Sequence, residues 1–508
     1  MFEQHQPPVV CFTLSQRKER QNMKLKLAFT LLMFLVWIVG SYSSTASEWV
    51  GGARVSASSS ASAGFAPQGF PTPPTKITSA LATIPQDFVG IPSQGNIDLF
   101  SWLSFVAINW PANTAVCGAN TNASILDCKT SVNCAPSVWE TYLTDSEVFV
   151  ASGSTPAPWC AQTQARLARL PSNVQSMAKK AGVTRVFMKQ NKASGLKQSF
   201  PGIDEAFGGP LTDQNGRFVR YEIHLNKDEY QYILDPTKTG NKSINLWSVS
   251  GQKNFGSLSN VQFPLGNSQT KVTGSMEIKA AWKVLSPAEV SSNRFYAIQA
   301  LVFNDDFNPP GASVPPNVPV TLGLVGLHIV HKTSRQPHWI WSTFEHVDNL
   351  TKSFYNPNCP SCPTNQPASP YSTDKNGNNH YKELNPNGNP ITKPVQVVRI
   401  NPIQSPPTQA NAAFQALLAG SVWANYQLIS SQWMDDLAKP EPGFLANMTL
   451  ETFNQGPNPP SDGLPNGATY NPLKPDPRYQ PFQAGVSSSC IKCHSLGNDF
   501  SFLLGSAQ

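Results

Sequence analysis

Close to its C-terminal end, the chain carries two cysteines that are separated by two residues and followed at once by a histidine. The segment reads Cys490-Ile491-Lys492-Cys493-His494. Residues three and four apart share one face of a helical turn, so both thiols can reach the vinyl groups at one edge of a porphyrin. The imidazole that follows can then reach the iron. This spacing is the haem c attachment pattern, and it predicts one covalent haem c with His494 as the metal ligand.

Two other uses of this cysteine pair remain open. Cys490 and Cys493 can form a disulfide, or they can supply half of a zinc site that Cys359 and Cys362 complete. Haem c is favoured because the histidine is present and because the N-terminus predicts export to the compartment where haem c is attached. Pro363 stands where a second haem motif would need a histidine. A structural disulfide is therefore favoured for Cys359 and Cys362 over a redox-active pair.

The position of the motif excludes an ordinary small cytochrome c domain, which has the motif near its start and a Met ligand downstream. Only 14 residues follow His494, and they contain neither Met nor His. We therefore expect the haem to lie against a surface that upstream sequence builds. Phe500, Leu503 and Leu504 recur at helical spacing and predict an apolar face that seals the porphyrin edge.

The sixth ligand of the iron stays open between several side chains and an unligated iron. Two strong axial ligands favour electron transfer, whereas an open position favours binding or activation of a small ligand. On a strand, His328 and His331 face opposite sides, so one metal site built from all the clustered histidines is not expected. Hydrogen-bonded or surface histidines are favoured, with one of them as distal ligand or acid–base group as the alternative. The candidates are Met434, Met448, His224, His328, His331, His338, His346 and His380.

One set of charged residues offers a further candidate site. Glu277 and Lys279 share one face of a predicted strand. Paired across the interior with Glu345, they would form a catalytic carboxylate cluster. A solvent-facing Glu277–Lys279 salt pair is the favoured interpretation.

The N-terminus predicts export. Lys24 and Lys26 precede the apolar run Leu27–Gly40, and the small residues 44–46 follow at the spacing that a signal peptidase prefers. This run is short for a bilayer span, which needs roughly 20 residues. The sequence therefore predicts a cleaved signal peptide and an exported protein without a membrane span after cleavage. A retained anchor is the alternative.

Cysteine usage agrees with an oxidising compartment. Six further cysteines follow the leader, and their even number predicts up to three disulfides. Their connectivity cannot be read from the sequence. They are Cys117, Cys128, Cys134, Cys160, Cys359 and Cys362.

The composition indicates a globular protein rich in loops and strands. Of the 508 residues, 40% are hydrophobic and only 13% are charged, and 45 are prolines. These values argue against a helical bundle and against a disordered chain. The net charge of +6 is weak and dispersed, without a basic stripe interleaved with aromatics. Nucleic-acid binding is therefore not expected.

Apolar periodicity and turn residues place the elements. The predicted helices are Asp98–Trp110, Val138–Leu143, Lys227–Leu234 and Ala412–Ala419. The predicted strands are Arg217–Leu225, Lys271–Val284, Arg294–Phe303, Thr321–His331, His338–Val347, Trp423–Trp433 and Leu445–Phe453, the fourth and fifth forming a hairpin. The fold class is mainly β with several helices (α+β). We predict a signal peptide at 1–46, a flexible linker at 47–80, one large β-rich domain at 81–480 and a short helical haem c attachment segment at 481–508. Whether the large domain divides into subdomains is left open.

Four segments resemble bacterial exported proteins of about this length that are labelled as cytochrome c family proteins. The segments are Phe100–Pro111, Glu277–Trp282, His338–Asn349 and Ser489–Leu504. The resemblance implies haem c and electron transfer. It assigns roles only to Cys490, Cys493 and His494.

The favoured function is that of a periplasmic monohaem c-type cytochrome that passes single electrons to a redox partner protein. One alternative is a haem-dependent periplasmic oxidoreductase whose large domain binds a substrate, because the upstream sequence is far longer than an electron carrier needs. The other alternative is a carbohydrate- or partner-binding module with an auxiliary haem. That module would expose several tryptophans in a groove, among them Trp339 and Trp341.

Overall fold

One large curled β-sheet organises the chain, seen here in a computed structural model. The described residues belong to a compact unit that spans Pro67–Gln508. The haem motif and the Cys359/Cys362 pair lie outside the described residues. The structure describes residues 70–150, 153–161, 163–187, 204–205, 209–236, 243–302, 319–358, 364–365, 372–373, 379–380, 395–399, 402–433, 446–452 and 501–507.

The elements are numbered in chain order within the described residues. The α-helices are α1 (Gln94–Ile108), α2 (Asp145–Val148), α3 (Thr163–Leu167), α4 (Ser172–Ala181), α5 (Lys227–Leu234), α6 (Val249–Phe255), α7 (Pro287–Ser291) and α8 (Ser405–Leu417). The strands are β1 (Ala112–Asn113), β2 (Gly118–Ala119), β3 (Leu143–Thr144), β4 (Arg185–Phe187), β5 (Asp204–Glu205), β6 (Gly209–Pro210), β7 (Arg220–Leu225), β8 (Met276–Val284), β9 (Ala297–Val302), β10 (Val320–His331), β11 (Ile340–His346), β12 (Ser372–Thr373), β13 (Asn379–His380) and β14 (Tyr426–Gln432). Short 3₁₀ turns include Val138–Thr141 and Phe502–Ser506.

The main sheet runs in the order β14, β11, β10, β8, β7 and β3, with β9 also paired to β10 and β4 paired to β9. The pairing of β4 with β9 is parallel and the other pairings in this sheet are antiparallel. The predicted hairpin is confirmed as β10 and β11, in which His331 lies opposite Ile340. A large sheet accompanied by several helices confirms the predicted α+β, mainly β fold class.

Three of the four predicted helices appear as α-helices, two of them with shifted ends, and the helix predicted at Val138–Leu143 is a 3₁₀ turn over Val138–Thr141. The helix predicted at Asp98–Trp110 is α1, which begins earlier because the Ser93 hydroxyl caps it by accepting from a backbone N–H of the first turn. The helix predicted at Lys227–Leu234 has the same bounds as α5. The helix predicted at Ala412–Ala419 is α8, which begins at Ser405 because two prolines fit its first turn.

The strand predicted over Leu445–Phe453 is wrong. The described part of this segment forms turns that lie across the sheet at Gly326, where a Cβ atom would stand 2.2 Å from Thr449 Oγ1. The Asn447 side chain donates to the Phe344 carbonyl at 2.7 Å. The segment therefore covers a face of the sheet and does not extend it.

The main core lies between the sheet and helices α1 and α8. Trp102 of α1 stacks on Phe414 of α8 at 5.0 Å and meets Phe344 of β11 edge to face at 5.0 Å. The Trp102 indole N–H donates to Asn411 Oδ1 at 3.1 Å, so the buried polar atom is satisfied. Helix α1 therefore covers one face of the sheet, which we call the helix face.

Two disulfides lie in the described residues. They join Cys117 to Cys160 and Cys128 to Cys134, with Cα atoms 5.6 Å and 4.7 Å apart. These pairings assign four of the six cysteines whose connectivity the sequence left open. Within the described residues, no helix combines the length and the apolar character needed to cross a membrane.

Candidate functional site

The described residues nearest to the haem motif along the chain form a C-terminal segment, residues 501–507. Cys490, Cys493 and His494 themselves lie outside the described residues, as does Phe500. Ser501 follows His494 by seven residues, and seven extended residues span at most about 25 Å.

The C-terminal segment docks on the sheet through two leucines. Leu503 and Leu504 are both 4% exposed and share an apolar cluster with Trp339 and Trp341. The Gln252 side-chain amide donates to the Leu504 carbonyl at 2.8 Å. Burial of two leucines contributes about 3–6 kcal/mol of hydrophobic free energy, enough to hold a short segment in place.

The docking surface is a row of residues across four strands. Leu225, Val330 and Trp341 join Glu277 in this row, because Glu277 lies opposite Leu225 and Val330, and Val330 lies opposite Trp341. Directly opposite residues point to the same side of a sheet. The row therefore defines the face opposite α1, which we call the docking face.

Beneath the C-terminal segment, two carboxyl groups and a hydroxyl meet. The Glu277 side chain lies against the side chains of Ser501 and Glu229, and Glu229 is completely buried. A carboxylate only accepts hydrogen bonds, so two carboxyl groups bond to each other only when they share a proton. Burial raises the pKa of Glu277 from 4.5 to about 7. The pair is thus a proton-holding site at neutral pH.

Asn226 explains why the two glutamates meet. Its Oδ1 accepts from the backbone N–H of Glu229 at 3.1 Å and so caps α5. The same atom accepts from Met276 N at 3.1 Å, and its Nδ2 donates to the Gly274 carbonyl at 2.6 Å. One side chain therefore ties the start of α5 to the start of β8, which brings Glu229 beside Glu277.

We predict that Glu277→Gln changes the pH dependence of stability. Because the folded-state pKa of Glu277 is raised, the contribution of this group to the free energy of unfolding is fully present below about pH 4.5. That contribution is lost as pH rises through about 7. Relative to wild type, the variant should gain roughly 2 kcal/mol in free energy of unfolding between pH 5 and pH 8. Urea unfolding across this range measures the difference.

Glu289→Gln is the matched control for this prediction. Lys283 lies 2.6 Å from Glu289 Oε1 and holds the pKa of that carboxyl below its ordinary value, against the opposing effect of burial. The stability that the Glu289 carboxylate contributes is present above pH 4.5 and is lost as pH falls. The stability difference between Glu289→Gln and wild type should therefore change with pH in the opposite direction to that of Glu277→Gln. A pH-independent difference between Glu277→Gln and wild type contradicts the shared proton.

We also predict that Leu504→Ala loosens the C-terminal segment. The substitution removes most of one buried side chain, and such changes cost about 2–5 kcal/mol where the cavity stays open. Carboxypeptidase should therefore trim the C-terminus of the variant many times faster than that of wild type. Leu258→Ala, at an exposed leucine, is the control and should leave trimming unchanged.

Three of the candidate histidines lie within hydrogen-bonded interiors. His224 Nδ1 lies 3.1 Å from the Tyr142 carbonyl, and the residue is 1% exposed. His331 stacks on Phe100 of α1 and directs Nε2 to a backbone carbonyl at 2.7 Å. Burial lowers the pKa values of His331 and His346 to about 4. These three side chains do not offer a porphyrin an accessible nitrogen in this arrangement.

His328 is the candidate histidine that shares the docking face with the C-terminal segment. It lies two residues from Val330 along β10, whereas His331 points to the helix face, as the strand period predicts. His328 Nε2 contacts a Glu451 carboxylate oxygen. Met448 is fully buried, and His338 is half-buried. Met434 and the side chain of His380 lie outside the described residues.

The cluster suggested for Glu277, Lys279 and Glu345 does not form. In the register of β10, Glu277 lies opposite Val330 and Glu345 opposite Gly326, so about 13 Å of strand separates them. Glu345 instead pairs with Arg399, and its Oε2 accepts from a backbone N–H at 2.9 Å. The favoured salt pair is not observed either, since Lys279 Nζ lies over the Tyr221 ring at 5.4 Å. The partner of Glu277 is Glu229, which the sequence analysis missed because no local signal links positions 48 residues apart.

A second polar cluster lies under β4 and has a structural arrangement. Arg185 bridges Glu140, at 2.7 Å, and Glu222. Tyr296 donates to Glu140, and the Trp282 indole donates to Glu222 at 2.8 Å. Each carboxylate thus accepts hydrogen bonds from Arg185 and from one aromatic side chain, and a buried charge needs such partners to offset its desolvation.

Trp339 and Trp341 do not line an open groove. They are 4% and 8% exposed, and both belong to the apolar cluster that holds the C-terminal segment. Lys332 Nζ lies 5.6 Å from the Trp339 ring centroid. Across the ranges that the structure describes, no three His, Cys, Asp or Glu side chains gather as a metal site.

Comparisons with known proteins give no further assignment. The chain matches no protein-family model, no curated protein and no solved structure. The site is therefore interpreted from its own residues.

Proposed function

We propose that this protein is a periplasmic monohaem c-type cytochrome that passes single electrons to a redox partner protein. The observation that carries the proposal is the docked C-terminal segment, which follows the haem c motif by a few residues. Cys490 and Cys493 would hold the haem by thioether bonds, and His494 would bind its iron. Two disulfides in the described residues support an oxidising compartment.

The residues present suit this group. Two thiols separated by two residues, with an imidazole beside the second, form the donor set that haem c takes. Ser501, which follows His494 by seven residues, is buried against the docking face beside Glu277. When bound, the haem would supply a centre that accepts and releases one electron.

The chain itself would contribute position and proton control. Leu503 and Leu504 anchor the segment, and Trp339 and Trp341 keep water from its underside. Because burial raises the pKa of Glu277 to about 7, the Glu277 carboxyl is only partly ionised beneath the segment at neutral pH. A low-dielectric site with few uncompensated charges suits a centre whose charge changes by one.

The haem-dependent oxidoreductase remains a second candidate because of one observation. Burial brings the pKa of Glu277 to about 7, which suits proton transfer at neutral pH. Perturbed carboxyl groups also occur in structural networks, so this observation supports the enzyme less than the docked segment supports the carrier. The binding module is not favoured, because its expected groove tryptophans, Trp339 and Trp341, are buried.

Visible and magnetic circular dichroism spectra test the proposal. The protein is purified from a host with haem c maturation machinery and measured oxidised and reduced. We expect one haem per chain that is reduced and reoxidised by one electron. Six-coordinate iron in both states supports the electron carrier, and a five-coordinate state supports the oxidoreductase. Absence of haem absorption overturns both.

A further inference from the structure

The two disulfides differ in backbone conformation. Five non-glycine residues among those described have positive φ, and two of them are Cys117 at 52° and Cys160 at 60°. This left-handed region favours glycine because a Cβ atom crowds the carbonyl that follows it. Cys128 has an ordinary φ of −78°. Both ends of one bridge are therefore held in a conformation that cysteine rarely adopts.

The two disulfides also differ in access. Cys117 lies in the turn between β1 and β2, where Val116 is 66% exposed, and the sulfur atoms of Cys117 and Cys160 lie near the surface. Cys128 is 5% exposed and belongs to the main core, and its partner Cys134 is partly buried against the same core. A thiolate attacks a disulfide sulfur along the bond axis, so access limits the reaction. An incoming thiol can therefore reach Cys117–Cys160 more readily than Cys128–Cys134.

The surroundings of the first bridge also suit its reduced form. The carbonyl oxygens of Thr114 and Ala115 both lie 3.7 Å from Cys160 Sγ. A thiol formed at Cys160 would find these acceptors in place, since S–H is a weak donor. Reduction would also free both cysteines to leave the left-handed region. Strained or exposed bridges are the labile ones in proteins.

We propose that Cys117–Cys160 is a reversible redox site that a dithiol protein opens while Cys128–Cys134 stays closed. A thiolate of the dithiol attacks Cys117 Sγ, the Cys117–Cys160 bond breaks, and the Cys160 thiolate takes a proton from solvent. The second thiol of the dithiol then displaces Cys117, which leaves as a thiolate and is protonated. Two electrons and two protons pass to this chain, and the dithiol becomes a disulfide.

The Cys117–Cys160 bridge lies next to residues that contact the apolar cluster beneath the C-terminal segment. Trp159, next to Cys160, packs between Tyr142 and Tyr230 with ring centroids 5.8 Å apart in each case. The Tyr230 hydroxyl donates to the Ala157 carbonyl at 2.8 Å, and Tyr230 belongs to the cluster that buries the two tail leucines. Opening the Cys117–Cys160 bridge would therefore release the segment 157–160, which packs against this cluster. The inference goes beyond the proposed function and does not require a haem.

Differential alkylation tests the proposal. The full chain is equilibrated with graded ratios of dithiothreitol to its oxidised form, quenched with acid, alkylated and mapped by mass spectrometry. We expect Cys117 and Cys160 to be labelled together at a ratio at least about tenfold lower than Cys128 and Cys134 require. Opening of both bridges at the same ratio, or of Cys128–Cys134 first, overturns the proposal.

Hydrogen exchange provides a second measurement. In the C117S/C160S variant, amides of residues 501–507 should exchange several-fold faster than in wild type. The C128S/C134S variant is the control and should not accelerate them selectively. If the first variant does not fold, the same exchange is measured on wild type held at the ratio that opens Cys117–Cys160 alone. Unchanged exchange there overturns the connection to the C-terminal segment.

Discussion

Replacing Arg185 with methionine is expected to lower the free energy of unfolding by about 3–5 kcal/mol at pH 7. Arg185 is the cation between Glu140 and Glu222, whose side chains are 4% and 13% exposed. Methionine keeps most of the volume of the side chain but leaves two carboxylates close together without their shared cation. Urea or thermal unfolding of the purified variant measures the loss.

The pH dependence of this loss identifies its cause. Arg185, together with His224, holds the pKa of Glu222 well below its ordinary value, despite burial. A carboxyl with a depressed pKa contributes stability above pH 4.5 and loses it as pH falls. The difference between Arg185→Met and wild type should therefore be largest near neutrality and shrink toward acid. A difference that stays constant with pH would indicate lost packing instead.

Arg169→Met is the matched control for this prediction. Arg169 is exposed, and its guanidinium donates to the Thr155 carbonyl at 3.0 Å. Exposed substitutions of this kind usually change stability by less than about 0.5 kcal/mol. An equal loss in both variants would show that the buried network contributes no more than a surface arginine.

Replacing both Cys490 and Cys493 with alanine is expected to abolish covalent haem attachment completely. Each thioether bond needs its own sulfur, and without either one the haem is held only by weak ligation and is lost in washing. The fold should persist, because the docked C-terminal segment and the two disulfides do not use these sulfurs. Absorption and the circular dichroism of the sheet, measured on the same sample, separate the two effects.

The Cys359→Ala, Cys362→Ala variant is the control for haem attachment. It removes a second pair of cysteines with the same spacing, but proline follows that pair in place of histidine. This variant should retain a full complement of haem. Loss of haem from the control and its retention in the Cys490/Cys493 variant would reverse the assignment.

Local sequence signals predicted the elements but not the contacts between them. The α5 helix and the β10–β11 hairpin were predictable because capping residues, apolar periodicity and a short polar turn all lie within a few residues. The segment predicted as a strand at Leu445–Phe453 alternates in polarity because its apolar residues pack down onto the sheet. Alternation reports which side chains are buried and does not report strand pairing.

The site itself depends on contacts that are distant in sequence. Glu277 was identified, but its partners Glu229 and Ser501 lie 48 and 224 positions away and carry no motif. The less favoured interpretation placed Glu345 beside Glu277 because both are acidic residues on predicted strands. The register of β10 separates them, and Arg399 neutralises Glu345. The Cys490–His494 motif could be recognised from the sequence alone because its residues are nearly consecutive, and the haem that it implies stays a prediction.

Intact-mass spectrometry tests the central claim most directly. The protein is matured in a host with haem c machinery, purified, and extracted with acidified acetone, which removes non-covalent haem but leaves thioether-bound haem. We predict a mass that exceeds the mature chain by one haem before and after extraction, with the increment on the peptide containing Cys490 and Cys493. A mass equal to the chain alone, or a Cys490–Cys493 disulfide in that peptide, would contradict the account.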